Sequence, residues 1–552
     1  VKIGLLPSLA PARIVSMETP FIRLVGDLEE NLYQLGVKDR EPAKIIVDHI
    51  SSIFALPSHR LNIPFKTILN LYLSKTFSRH SPYQKAMGAY IEGLGMSKDA
   101  YYGAIILPEL MSCMSKWFPA IPTSWIGCSS FFTIDEDYDG PLHGRIMDGP
   151  IGGSYDAYER VVYYELKGLP KMIGINVPGM PTAGITGMNE YGVTLALHQK
   201  YTNIFNTLGT PIFELGFNLL ASVKNKHEAI EFLKKSQSIS SWCFYMSFAD
   251  GDILRADLLG DRMYYHEDGL TKGKVLYFNN SLEDKSIDQR QFLPYGIDDF
   301  NEMRKKMAHK KILKLQHGKG INDVKLLKAM SLPLDQREGK ASESKMDCIT
   351  PFSLGAHCMN ATQGRLHLIP GPAPKYYQGV HHSFVNLWTI PEIQYSNKSI
   401  VPHPQHKSMR HFMLAQTNAD QRKIEHTYHH LQMCIDHAAD YPESYWAQFY
   451  FHVYQFHNEP DRDLYPALLQ SFRNLIPHLP TVLMEHALLY IIRLERLTDL
   501  PVSISADEIK NPVLRKILFA ELNLPTFALK KMLDANVHPR MEFLDIMYGH
   551  LR

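Results

Sequence analysis

Trp125-Ile126-Gly127-Cys128-Ser129-Ser130-Phe131-Phe132, followed after an acidic turn by Gly140-Pro141-Leu142-His143-Gly144-Arg145-Ile146-Met147-Asp148, is the stretch around which the rest of the chain is organised. The acidic run Asp135-Glu136-Asp137-Tyr138-Asp139-Gly140 separates two apolar segments, so 128–132 and 142–147 read as the two strands of a β-hairpin. Side chains alternate along a strand, which puts Arg145 and Met147 on one face and Ile146 and Asp148 on the other. Gly149-Pro150 ends the second strand near Met147, and that ending lets both charges reach the end where Cys128 lies.

A thiol is mostly protonated near neutral pH, so a working cysteine needs a base in reach or a positive field. A cysteine that becomes the first residue of a chain carries its own base, an α-amine with a pKa of about 8. Gly127 has no Cβ and permits the strained turn that would bring Sγ onto the preceding carbonyl. The stretch therefore reads as a hidden N-terminus: a Gly127–Cys128 bond that the chain cuts itself, leaving Cys128 as nucleophile. Asp148 would hold the protonated amine or the thiol, and Arg145 the sulfur or a substrate carbonyl or carboxylate. The plain alternative is a small buried hydrophobe at Cys128 beside a surface ion pair on a hairpin.

The combination of GCSSF, an acidic hairpin, LHGRxMD and then TGMNEYGV at 186–193 resembles the N-terminal nucleophile (Ntn) hydrolases that use cysteine. Within them it is most similar to the acyl-coenzyme A:6-aminopenicillanic acid acyltransferase group, peptidase family C45, with choloylglycine hydrolases and acid-ceramidase-type amidases as relatives. The likeness runs from about residue 21 to about 388. It implies an α+β fold, an αββα sandwich of two sheets covered by helices, with 128–390 as catalytic domain. It implies a propeptide or small-subunit region at 1–127, which stays bound after autocatalytic cleavage of a zymogen. The implied chemistry is hydrolysis or transfer at a linear or cyclic small-molecule amide through a Cys128 thioester, with no metal or organic cofactor.

The resemblance also carries roles to single residues. In Val275-Leu276-Tyr277-Phe278-Asn279-Asn280-Ser281, Asn280 falls beside the nucleophile, with Asn279 as the other register, either donating to the oxyanion or accepting from the α-amine. Where relatives carry an oxyanion-hole Asn, this chain has Leu197-His198-Gln199, which leaves Gln199 or His198 to supply an N–H. Arg304, in the helix start 299–304, stands for a second active-site arginine that orients substrate, although Lys305 and Lys306 beside it also suit a solvated face. Ile146 replaces a frequent Asn. These departures keep open a catalytically idle Ntn fold that serves as an interaction module, and an acyltransferase with an acyl-CoA donor remains a further alternative.

A length of 552 residues allows two to four domains, and a formal charge of +1 gives no electrostatic reason to expect nucleic acid. No stretch approaches the roughly 18–20 apolar residues of a membrane span. Residues 1–15 are apolar but broken by Pro7 and Pro11, and a chain starting at Val1 fits a cytoplasmic protein or an exported one whose signal is already removed. Six scattered cysteines without CxxC spacing suggest reduced structural thiols besides Cys128.

Along the chain, 1–127 reads as mainly helical, including 42–55, 70–83 and 98–117. Strands are expected at 161–166, 172–177, 183–186, 192–198, 241–249, 252–258, 262–265, 274–279, 346–352, 357–360 and 365–369, and helices at 210–222 and 226–236. Pro391, Pro402 and Pro404 mark a linker at 391–408. Residues 409–552 read as a helical domain suited to homo-oligomer or partner contact. There, His426, His430 and Cys434 share one helix face, but three ligands along one straight helix cannot all close on one ion, so no metal site is expected.

Overall fold

The computed structural model describes residues 19–53, 82–106, 109, 127–200, 202, 204–282, 295–318, 320–332, 348–396, 403–437, 442–458, 461–479 and 481–534. Their strands are β1 (Phe21–Gly26), β2 (Cys128–Ile134), β3 (Pro141–Asp148), β4 (Arg160–Leu166), β5 (Met172–Asn176), β6 (Thr186–Asn189), β7 (Thr194–Gln199), β8 (Ser241–Ser247), β9 (Asp252–Leu259), β10 (Arg262–Gly269), β11 (Leu276–Phe278), β12 (Ser353–Asn360), β13 (Arg365–Leu368), β14 (His382–Val385) and β15 (Glu392–Gln394). They form two sheets, in the orders β1-β4-β5-β6-β7-β8-β9-β10 and β11-β2-β3-β12-β13-β14-β15.

Every residue of β3, β7, β8 and β12 is buried, the pattern of strands covered on both faces. Between the sheets, Phe132 meets Ala196, Cys243, Tyr245 and Ile253, and further along Tyr163, Ile173 and Met188 meet Leu366, Leu368 and Phe384. On the outer side of the second sheet, Leu326, Leu327 and Met330 of helix Asp323–Ser331 and Met307, Ala308 and Ile312 of helix Tyr295–Gln316 cover Phe131, Leu142 and Ile146. Helices Ile212–Ser222 and Lys226–Lys234 cover the first sheet. The layers therefore run helix, sheet, sheet, helix, an α+β architecture.

The segment before Cys128 belongs to this framework. β1 pairs in parallel with β4, from Phe21↔Val161 to Gly26↔Leu166. Asp39, on helix Leu28–Ile53, receives two bonds from Arg160 at 2.6 and 2.7 Å and one from Tyr90 at 2.7 Å, all buried. Helix Leu28–Ile53 runs unbroken through Pro42, where the sequence suggests a new helix start. Leu32, Leu35, Ala43, Ile46, Val47 and Ile50 form one buried stripe across the proline, and this packing outweighs a penalty of about 3 kcal/mol.

Other local readings are corrected by turns. The expected strand 183–186 begins only at Thr186, because the Ala183 backbone lies against Gly174 and Gly184 against the Phe213 backbone. Cys348 to Phe352 forms a turn instead of a strand: Thr350 N–H donates to Ser353 Oγ and Ser353 N–H to Thr350 O, and β12 starts at Ser353. The stretch marked as linker holds β15 and the start of helix Pro404–Asp420, whose first turn accepts Pro404 because the N–H that proline lacks would have no helical partner there. That helix and those following it, Ile424–His437, Pro442–Asn458, Tyr465–Leu475 and Thr481–Leu497, share a core of Phe412, Leu431, Trp446, Phe449, Phe472 and Tyr490. Helix Lys98–Ile105 matches the start of the 98–117 reading; most of its remainder, most of 70–83, and Cys113 lie outside the described residues. Among the described residues no helix is long and apolar enough to cross a membrane.

Candidate active site

The hairpin forms as its sequence dictates, with Cys128 opposite Met147, Ser129 opposite Ile146 and Ser130 opposite Arg145. Cys128 lies on the same strand face as Ser130 and Phe132, so Arg145 reaches it diagonally: Arg145 Nη2 is 3.7 Å from Cys128 Sγ. Two backbone carbonyls aim the guanidinium, Ile185 O from Nη1 at 2.5 Å and Leu197 O from Nη2 at 2.7 Å. Among the described residues no carboxylate lies within ion-pair distance of Arg145, although Asp148 feels its charge.

Asp148 leaves β3 on the opposite face. Its Oδ1 accepts from Ser353 Oγ at 2.6 Å and its Oδ2 from Arg304 Nη1 at 3.4 Å. Burial pushes its carboxyl up to about 6, against the opposing pull of Arg304, Ser353 and Arg145.

Arg304 sits well inside its helix, not at a helix start. Asn301, Arg304, Met307, Ala308, Lys311 and Ile312 are buried along one stripe, so the arginine faces the sheet. It is fully buried, with Nη1 donating to Cys128 O at 3.0 Å and Nη2 to Asn301 Oδ1 at 2.6 Å and Asn280 Oδ1 at 3.1 Å. The cation therefore lies behind Cys128 and does not line the cavity in front of it, where a group that orients substrate by contact is expected. It also explains the glycine: a Cβ on Gly127 would overlap the Arg304 guanidinium.

Of the two adjacent asparagines, Asn280 faces Cys128. Cys128 N–H donates to Asn280 Oδ1 at 2.6 Å, and Asn280 Nδ2 donates to Gln199 O at 2.8 Å. Two obligate donors on one side, Cys128 N–H and Arg304, and an obligate acceptor on the other fix which end of the amide is oxygen. Asn279 turns away and donates to Asn301 O at 2.9 Å. Lys200, which the sequence reading missed, donates from Nζ to Asn279 O (3.2 Å) and Ser281 O (2.6 Å), the carbonyls flanking Asn280.

Cys128 opens on a cavity of ≈ 70 Å³. Arg145, Asp148 and Gln199 supply its polar rim; Ile151, Tyr155, Phe213, Trp242 and Leu354 supply an apolar wall. Tyr155 keeps its hydroxyl protonated, since burial raises its pKa. The wall residues come from four separate segments and share no common spacing in the sequence that would have identified them.

His198 is placed elsewhere. Strand alternation turns it away from the cavity that Leu197 and Gln199 line. Its Nε2 meets Ser130 Oγ at 2.9 Å, His143 Nε2 meets the same hydroxyl at 3.1 Å, and the His198 ring packs on Tyr245. Burial holds both imidazoles well below the usual histidine pKa, as neutral groups between the sheets. In the C-terminal helices, His430 Nδ1 lies 3.0 Å from His411 Nδ1 and Cys434 Sγ 3.0 Å from Ser408 Oγ, so these two members of the histidine-cysteine row point at different partners.

No family model and no curated protein matches the sequence. Among solved structures, the chain is similar to a Caenorhabditis elegans N-acylethanolamine-hydrolyzing acid amidase ortholog, at 13% identity and a TM-score of 0.29 over 43% of this chain and 93% of that one. It is also similar to a penicillin V acylase from Agrobacterium tumefaciens, at 13% identity and a TM-score of 0.29 over 46% of this chain and 90% of that one. At those values neither likeness assigns a chemistry to this chain.

Proposed function

We propose that this chain is a self-cleaving cysteine amidohydrolase or acyltransferase of the Ntn type, which cuts itself after Gly127 and then works on a small-molecule amide with an apolar acyl group. The observation that carries the reading is the setting of one residue: the nitrogen of Cys128 is held by Asn280 Oδ1 at 2.6 Å, and its sulfur faces Arg145 and an apolar cavity.

In the first reaction Cys128 Sγ attacks the Gly127 carbonyl, the C–N bond breaks, and the acyl group passes to sulfur while the amine is released. Water then hydrolyses that thioester and frees the thiol. In turnover the α-amine takes the thiol proton and the thiolate adds to the substrate carbonyl. The amine returns the proton to the leaving nitrogen as the C–N bond breaks. Water or an acceptor amine resolves the new thioester.

Asn280 acts here as the acceptor that orients the α-amine, since its N–H₂ end is engaged by Gln199 O. Gln199, on the cavity rim, is the side chain assigned to the developing oxyanion. Arg145 stabilises thiolate, and Asp148 with Arg304 fixes the local charge behind it. Residues 1–127 are the small-subunit region, 128–390 the catalytic domain, and 409–552 a helical addition.

The test is incubation with N-acyl amino acids, bile-acid conjugates and β-lactam side-chain amides, with mass analysis for an acyl adduct on Cys128. An adduct that turns over in wild type and is absent in Cys128→Ala is expected. A chain that neither cuts itself nor acquires an adduct would instead be the idle module.

A further inference from the structure

Two of the apolar wall residues, Ile151 and Tyr155, belong to the connection 149–159 between β3 and β4, a loop that ends in the helical turn Tyr155–Tyr158, and this loop is gripped by the helical region that follows β15. Thr417 Oγ1 donates to Gly152 O at 2.9 Å. Arg410 Nη1 donates to Asp156 Oδ2 at 3.1 Å and to Ala373 O at 3.0 Å. Asp156 in turn accepts from Gly153 N–H at 2.5 Å and from Ala373 N–H at 2.8 Å, so it ties the loop together internally. Gly152 packs so closely on Met413 that a Cβ would overlap the thioether. All three gripping residues lie on helix Pro404–Asp420, at i, i+3 and i+7, one face of one element.

From this arrangement we infer that helix Pro404–Asp420 is a specificity-determining part of the enzyme: it sets the position of Ile151 and Tyr155 and so the width of the acyl side of the Cys128 cavity. Arg410, Met413 and Thr417 are positioning residues, since none of them lines the cavity and each acts through the loop. Asp156 is buried, and Gly152 is covalently joined to Ile151, so a shift at Gly152 is transmitted to that neighbour. The helical region is then not an independent appendage. The inference rests on the cavity being the substrate site proposed above.

The test uses the full chain and needs no turnover. Cys128 is alkylated in parallel with N-phenylmaleimide, which must enter the apolar side, and with iodoacetamide, which is small and polar. Modification at Cys128 is followed by peptide mass spectrometry, and folding by thermal melting. Arg410→Gln with Thr417→Val removes the charge that pairs with Asp156 and the hydroxyl that holds Gly152, and the ratio of the two rates is expected to change by about fivefold, the effect of roughly one lost ordinary hydrogen bond. Arg410→Lys, which keeps the positive charge opposite Asp156, retains the wild-type ratio. If the double variant melts out, Gly152→Ala provides the second route: it changes the ratio by steric displacement, and Met413→Ala in the same chain restores it. A ratio that stays at the wild-type value in folded Arg410→Gln/Thr417→Val, or in Gly152→Ala, overturns the inference. Failure of the Gly127–Cys128 bond to break overturns the self-cleaving reading instead and leaves the alkylation ratio readable.

Discussion

At the scale of single residues, two charged side chains, Asp148 and Arg304, are packed behind Cys128, and a glycine precedes it. Asp148 titrates near 6 because it is buried, and it is the anion opposite the buried Arg304. Protonating it as pH falls through about 6 leaves Arg304 without its counter-charge, and self-cleavage should slow across that value. Asp148→Asn should cleave about a hundredfold more slowly and lack the inflection. A pH profile of fragment release that is flat for wild type, or unchanged in shape for the variant, would contradict this role. Gly127 is constrained for a steric reason, since a Cβ there would meet the Arg304 guanidinium. Gly127→Ala should cost about 1–3 kcal/mol in denaturant unfolding of the uncut Cys128→Ala background, and it should slow cutting in the native background. Equal denaturation midpoints with and without the methyl group would show that Arg304 moves aside freely.

At the scale of elements, the β2–β3 hairpin was legible because its information is local: an acidic turn, period-two alternation and a stop at Gly149-Pro150 determine the register of Cys128 against Met147. Arg304 was only half legible. Its partners on the same helix face, Asn301, Met307, Ala308 and Ile312, give a helical stripe that the sequence does contain, but a charged residue in such a stripe looks like solvent contact until Cys128 and Asp148 are brought to it from 176 and 156 residues away. His198 and Gln199 stood as alternatives because strand alternation separates them, while which of the two faces the cavity depends on how the second sheet packs on β7. Between the sheets, His143 and His198 share Ser130, and this pair sets an expectation for stability. Burial lowers both pKa values in the fold, whereas the unfolded chain binds these protons near about 6.5. Unfolding therefore takes up protons below that pH, so the contribution is fully present above about 6.5 and stability falls as pH drops below it. Thermal midpoints measured downward from neutral pH should decline, and His143→Gln/His198→Gln should decline less steeply. Parallel declines for the two proteins would mean that other groups carry the effect.

At the scale of the whole molecule, a cut after Gly127 does not imply that two bodies separate. β1 contributes six residue pairs to the edge of the first sheet, and Asp39–Arg160 is a buried, doubly bonded ion pair across the same junction. The pieces should co-elute under native conditions and part only in denaturant, with Asp39→Ala weakening their association by about 3–5 kcal/mol. Early dissociation of the wild-type pieces on native gel filtration would contradict it. None of this long-range pairing could be read from composition, because parallel partners 140 residues apart leave no local signature. The central claim is that Cys128 becomes an N-terminal residue, and intact-mass analysis of freshly expressed wild-type and Cys128→Ala chains tests it most directly. The account predicts two wild-type masses that sum to the chain plus one water, divided between Gly127 and Cys128, and a single uncut mass for the variant; a wild-type chain that remains whole, or a variant cut at the same bond, would contradict it.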